Sequence, residues 1–183
     1  MAEPVLFTPR LMLRLPQADD LDAWADFHAD AQTMQHLGGV QTRSEAWRGL
    51  CAMRGAWAIR GFAMFSVIER DSGRWVGRIG PWQPDGWPGT EIGWGVARGF
   101  EGTGYAFEAA SAAIDFAVDM LGWNDIIHVI APDNHRSAVL AARLGSQRLE
   151  PTRLPAPLQD MPVNKWGQSA SDWRARRQVR TDT

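Results

Sequence analysis

Residues 98–110, RGFEGTGYAFEAA, place Gly102 and Gly104 between a strand-like run and a helix-like run. A strand, then Gly-x-Gly, then a helix N-terminus presents several unpaired backbone N–H groups, and the helix dipole adds partial positive charge. Phosphate is the natural guest of such a turn. A dinucleotide-binding fingerprint would need a third glycine where Phe107 stands, and an ATP-binding loop would need Gly-Lys-Ser/Thr, which is absent. The competing reading is a tight turn that uses glycine only for its shape. Two groups with acid–base or capping chemistry flank it. Glu91 sits on the strand leading to the turn, where it is either a proton acceptor or an ordinary exposed carboxylate. Ser137 follows Asn134 by three positions at a helix start, where both have capping roles of their own.

The elements that would position these residues follow from periodicity. Residues 11–15 are short and apolar, and Asp19 or Asp20 can cap a helix running to about Ala31. Thr42 or Ser44 opens a second helix carrying Ala46, Trp47, Leu50, Met53 and Trp57, which Gly61 breaks. Residues 62–69 and 74–82 read as strands joined by Asp71-Ser72-Gly73, a strong hairpin signal. A Pro/Gly-rich loop at 84–89 precedes a strand at 90–96. Alanines at 106, 109, 110, 113 and 117 recur at helical spacing, predicting a helix over 104–121 with a small-residue face suited to a sheet. A β-branched strand at 125–130, a helix at 135–144, a short strand at 147–149, a proline-rich loop and a strand at 163–166 complete the order.

With 183 residues and 45% hydrophobic content the chain is expected to form one domain, residues 1–183, without an interdomain linker. A formal charge of −2 with scattered basic residues leaves no electrostatic footprint for nucleic acid. Cys51 is the single cysteine, which excludes an intramolecular disulfide and a cysteine-rich zinc site. His28, His36 and His135 lack metal-ligand spacing, and His128 in its apolar strand reads as a hydrogen-bonded structural residue. No metal is expected. The chain has neither a signal-like apolar run at its start nor a stretch of 18 apolar residues, so the expectation is a cytoplasmic protein without a membrane partner.

Residues 91–145 resemble the acetyl-CoA-binding core of the GNAT N-acetyltransferase superfamily. Within it they are similar to the branch containing the ribosomal-protein N-terminal (RimJ/RimL-type) acetyltransferases. The motifs are Glu91-Ile92-Gly93-Trp94, then Phe100-Glu101-Gly102-Thr103-Gly104-Tyr105-Ala106-Phe107-Glu108-Ala109, then Asn134-His135-Arg136-Ser137. TPRLMLRLPQADD near the start and WGQSASDWRARR near the end also fit, so the resemblance covers nearly the whole chain. It implies an α+β fold: a strongly twisted mixed sheet with a splayed central strand pair, flanked by helices.

The resemblance also implies roles. The backbone from Gly102 through Thr103, Gly104 and Tyr105 to Ala106 would hold the pyrophosphate of coenzyme A, with a hydroxyl contact from Thr103. Trp94, Gly95 and Val96 would pair with the pantetheine arm, with Gly95 making the strand's distortion cheap, and Asn134 would contact the pantetheine side. Transfer of an acetyl group to an amine needs a neutral amine, a stabilised oxyanion and protonation of the leaving thiolate. Glu91 is the candidate base, the N–H of Trp94 or Gly95 the oxyanion donor and Ser137 the acid, because the tyrosine many relatives carry after Asn134 is missing from SAVLAARLG.

Trp82 and Trp87 would line an acceptor pocket. Glu101, where relatives often have Gln, Arg or Trp, would bring negative charge close to the phosphates, and Ser146 replaces the usual Phe after Leu-Gly. The acceptor is a small-molecule amine or a protein N-terminus. The resemblance leaves open a homodimer, and equally a non-catalytic acyl-CoA-binding or protein-interaction module on the same fold.

Overall fold

The computed structural model describes residues 3–181. Among them eight strands form one sheet in the order β1-β2-β3-β4-β5-β6-β8-β7. They are β1 (Leu6–Phe7), β2 (Leu11–Arg14), β3 (Phe65–Glu69), β4 (Trp75–Trp82), β5 (Glu91–Val96), β6 (Asp125–Ile130), β7 (Gln147–Thr152) and β8 (Val163–Ser169). Every neighbouring pair is antiparallel except β5 and β6. Parallel neighbours need a crossover. Helix α4 (Tyr105–Asp119) supplies it and packs on β4 and β5, with Ala109, Ala110, Ala113 and Ala117 completely buried. Methyl-sized side chains let its backbone approach the sheet closely.

Before β3 come α1 (Leu21–Ala29), α2 (Ala31–Met34) and α3 (Arg43–Arg60), and α1 packs against α3. Helix α3 opens on a capping box, Thr42 with Glu45, and ends on Gly61 at φ 77°. Asp30 splits the expected first helix: its carboxylate accepts from the Thr33 N–H at 2.7 Å and starts α2. Asp20 does not cap α1. Its buried carboxylate accepts two N–H groups of Arg14, at 2.9 and 2.6 Å, together with the Gln17 N–H and the Ser66 hydroxyl. Burial pushes its pKa up, but those donors outweigh it and hold the carboxyl below its ordinary value.

The turn at Asp71-Ser72-Gly73 joins β3 and β4, with Gly73 at φ 70°. Strand β7 extends through Pro151, beyond the expected 147–149; it is the edge strand and its register with β8 shifts between Arg148 and Pro151, the two settings in which a sheet accommodates proline. Helices α5 (His135–Leu144) and α6 (Ala170–Thr181) complete the chain. Trp173 of α6 is buried and donates its indole N–H to Asp115 of α4 at 2.8 Å. That contact explains a helix the sequence pattern did not reveal.

Candidate active site

The chain leaves β5 through a 3-10 turn, Arg98–Phe100, and then Gly102 and Gly104 take φ values of 75° and 84°. Side chains rarely enter that left-handed region, so the turn itself requires glycine there. A Cβ added at Gly102 would meet nothing within 4 Å, so backbone conformation and an open approach, not packing, explain that residue. The amides of Gly102, Thr103 and Gly104 donate to no acceptor among the described residues.

Arg10 holds this turn from behind. Its guanidinium donates to Thr103 O at 3.0 Å and to Glu108 Oε2 at 2.7 Å, and lies 4.4 Å from the centre of the Tyr105 ring. Glu108 also accepts from the Thr8 hydroxyl and the Arg10 N–H, so its carboxylate works as a brace. The Thr103 hydroxyl donates to Phe100 O at 2.7 Å. In this structure that proton stays within the turn, and the Thr103 backbone amide is the group left open.

A groove of about 940 Å³ runs from this turn toward the sheet. Every residue expected to hold coenzyme A lines it: Trp94, Gly95 and Val96, residues 101–106, and Asn134. Uncommitted amides at one end and a strand edge at the other fit a phosphate bearing a long arm. Glu101 is paired with Arg136 across 2.6 Å at the start of α5, so its charge is not left facing the turn alone. Asn134 Oδ1 accepts from the Ser137 N–H at 3.1 Å, the helix cap. Gly95 does not mark a distortion in its ladder with β4, which runs in unbroken register from Gly77↔Val96 to Trp82↔Glu91. A Cβ there would stand 2.7 Å from the Phe27 ring, so close packing by α1 demands glycine.

The distortion lies on the other side of β5, whose register with β6 is a single pair, Glu91↔Ile127. Past that point two side chains replace the ladder. Glu91 Oε1 accepts from the Val129 N–H at 3.0 Å, and His128 Nδ1 donates to Ile92 O at 2.8 Å. The His128 tautomer follows: the carbonyl requires a donor at Nδ1, so Nε2 accepts the Ser146 hydroxyl proton at 3.0 Å, while Ser146 accepts from Gln168. Burial pushes the His128 pKa down to about 4, which keeps the ring neutral. Ser146 thus completes a buried polar chain.

Glu91 is buried, and burial pushes its pKa up to about 7 against the Val129 N–H, the Trp87 indole N–H at 2.6 Å and the field of Arg78. It lines a second cavity of about 240 Å³ with Trp82, Trp87 and Arg78. The two cavities share His36, Leu37, Trp94, Asn134 and Ser137. At that junction the Trp94 indole N–H donates to Ser137 Oγ at 3.1 Å. Sequence reading gave Trp94 a backbone role only and missed this contact; an aromatic donor on the strand facing a helix-start hydroxyl is its faint signal. No group of His, Cys, Asp and Glu among the described residues could hold a metal ion, and no helix among them is long and apolar enough to cross a membrane.

The comparisons with known proteins agree with one another. Residues 10–147 match the family model described as an acetyltransferase (GNAT) domain. A curated relative, the uncharacterized N-acetyltransferase YnaD of Bacillus subtilis (strain 168), is 28% identical over 142 residues, which cover 77% of this chain and 81% of that protein. Among solved structures, an acetyltransferase from Agrobacterium tumefaciens str. C58 superposes with a TM-score of 0.80 at 28% identity, covering 92% of this chain and 95% of the other. The ribosomal L7/L12 alpha-N-protein acetyltransferase RimL superposes with a TM-score of 0.75 at 14% identity, covering 92% and 96%, a likeness of fold.

Proposed function

The chain belongs to the GNAT acetyltransferase family, and from that premise we propose that it transfers an acetyl group from acetyl-CoA to a primary amine within one ternary complex. The observation that carries this reading is the meeting of the two cavities at Trp94, Asn134 and Ser137. A cofactor whose phosphates occupy the Gly102–Gly104 turn and whose arm follows β5 would bring its thioester to that junction, and an amine in the smaller cavity would face it. Acetyl-CoA supplies an activated acyl group.

The chain's residues do the rest. The Glu91 carboxylate takes a proton from the ammonium form of the acceptor, directly or through water. The amine lone pair then attacks the thioester carbonyl carbon while a backbone N–H of Trp94 or Gly95 holds the oxyanion. As the C–N bond forms the C–S bond breaks, and Ser137 gives its hydroxyl proton to the sulfur and recovers one from solvent. The second amine proton leaves to water, so the balance is one amide, one thiol and one released proton. The indole donor occupies an acceptor site on Ser137 Oγ and orients its O–H away from Trp94. The acceptor class runs from small amines to protein N-termini, the latter in keeping with the name of RimL, an alpha-N-protein acetyltransferase.

Thermal shift with acetyl-CoA, CoA, ATP and NAD, followed by thiol release across amine classes, tests this reading. Acetyl-CoA and CoA should raise the melting temperature and the nucleotides should not. Stabilisation by acetyl-CoA without acetylation of any amine would leave a binding module instead.

A further inference from the structure

The smaller cavity contains a cation without an ion-pair partner among the described residues. Arg78 of β4 is the only Arg or Lys among its lining residues, and its buried Nε has no hydrogen-bond partner. Its hydrogen bond runs from a terminal nitrogen to Met64 Sδ at 3.1 Å, a weak acceptor. Trp24 and Phe27 lie 5.9 and 5.8 Å from the guanidinium carbon, contacts that favour a cation without neutralising it.

Nearby carboxylates do not resolve the charge. Asp20 is taken by Arg14, and Glu91, whose field reaches Arg78, forms no ion pair with it. Glu91 instead spends its two oxygens on Val129 and Trp87. An arginine whose Nε is buried without an acceptor, and which touches no carboxylate, leaves hydrogen-bonding capacity that something else can complete. The planar fork of Arg matches a carboxylate.

The remaining walls describe the rest of the occupant. Trp82 and Trp87 meet edge to face with ring centres 6.4 Å apart, and Leu154, Leu158 and Met161 add to the apolar lining. At about 240 Å³ the space is small even for a ligand pocket. A single cation favours a monoanion over a doubly charged phosphate.

We infer that the acceptor is a free amino acid with an apolar side chain, whose carboxylate pairs with Arg78 while its amine faces Glu91. This inference rests on the acetyl-transfer reading and narrows it, since the α-amine of a protein N-terminus carries no neighbouring carboxylate. The acid brings the ion-pair partner Arg78 lacks, its apolar side chain suits the indoles, and the cavity that would hold it also borders Ser137.

The test compares L-phenylalanine, L-leucine and L-methionine with their carboxamides, their decarboxylated amines and a short peptide. Thiol release from acetyl-CoA is the activity readout, and binding of N-acetyl-L-phenylalanine against its amide is measured alongside. The expected result is a kcat/KM at least 10-fold higher for the acids, and an N-acetyl acid that binds at least 10-fold tighter than its amide. Arg78→Met should erase both differences by raising KM for the acids, Arg78→Lys should restore part of them, and the thermal shift by acetyl-CoA should persist in both variants. Equal or better use of amides, amines or the peptide, or equal binding of acid and amide, overturns the inference and leaves acetyl transfer standing. Loss of the acetyl-CoA shift in the unaltered protein, together with no transfer to any amine, would overturn the parent reading instead.

Discussion

The indole N–H of Trp94 donates to Ser137 Oγ across 3.1 Å, joining the strand that lines the groove to the first turn of α5. The Trp94 ring also packs on His128, with ring centres 4.6 Å apart, so the donor is held in place by the buried chain behind it. A hydroxyl that already accepts from Trp94 keeps its own proton for another partner.

Ser137→Ala should therefore lower kcat on the order of 10²-fold, leave the affinity for acetyl-CoA near normal and cost about 1 kcal/mol of stability. Trp94→Phe retains the ring and removes the donor, and should lower kcat by a smaller factor. If Trp94 acts through Ser137, adding Trp94→Phe to Ser137→Ala should change kcat no further. Single-turnover rates for the four proteins decide it, and additive losses would separate the two residues.

Glu91 should give the pH profile its acidic limb. With its pKa pushed up to about 7 by burial, the base form fills as pH rises through neutrality, so kcat/KM should climb there and level off above it. The Trp87 N–H favours the ionised form, so Trp87→Phe should move the limb to higher pH. Glu91→Gln should abolish it while the amide oxygen still accepts from Val129. The same shift ties Glu91 to stability: its contribution is full below the ordinary carboxyl value of 4.5 and is lost as pH rises through about 7.

Gly104→Val should remove stabilisation by acetyl-CoA. The position holds φ 84° at the N-cap of α4, and a Cβ there would stand 3.4 Å from an Arg10 terminal nitrogen. A branched residue in that conformation costs on the order of 1–2 kcal/mol, so the variant should fold with a lower melting temperature. Undiminished cofactor affinity in the folded variant would break the assignment of the turn.

Glu101→Gln releases Arg136 from its ion pair at the rim of the groove. Acetyl-CoA should bind about 2- to 5-fold tighter at low salt, with the gain fading as salt rises, since exposed charge pairs are worth at most about 1 kcal/mol. Calorimetry at two ionic strengths measures it. Weaker binding would mean that the pair itself shapes the groove.

Ser146→Ala should cost stability and not chemistry. It leaves His128 Nε2 without its donor in a buried place, a loss of about 1–3 kcal/mol, while Gln168 keeps its bond to Leu144 O. Denaturant unfolding reads this directly. His128 also gives the fold an acid limit: below the ordinary value of 6.5 the unfolded chain binds a proton that the folded ring refuses until about 4, so stability falls across that interval.

Local rules made much of this protein legible from its residues alone. The alanine spacing of α4, the Thr42–Glu45 cap, the Asp71-Ser72-Gly73 hairpin and the Gly102/Gly104 turn depend on neighbours a few positions away, and such signals survive in one dimension. The motifs around that turn likewise led to the family, to which residues 10–147 belong. What the sequence could not supply were relations between residues far apart in the chain. Asp20 reads as a helix cap until Arg14 and Ser66 are seen to claim it. Glu91 reads as either a proton acceptor or an exposed carboxylate until the parting of β5 from β6 buries it against Val129 and Trp87. Trp94 and Ser137 lie 43 positions apart, and Arg78 carries no mark that its Nε would be buried without an acceptor. Those contacts are fixed by sheet order and by the divergence of one strand pair, and burial then sets the protonation and charge that chemistry depends on. Hydrophobic spacing specifies which face of an element is covered; which polar group ends up opposite another is decided only when the elements are packed.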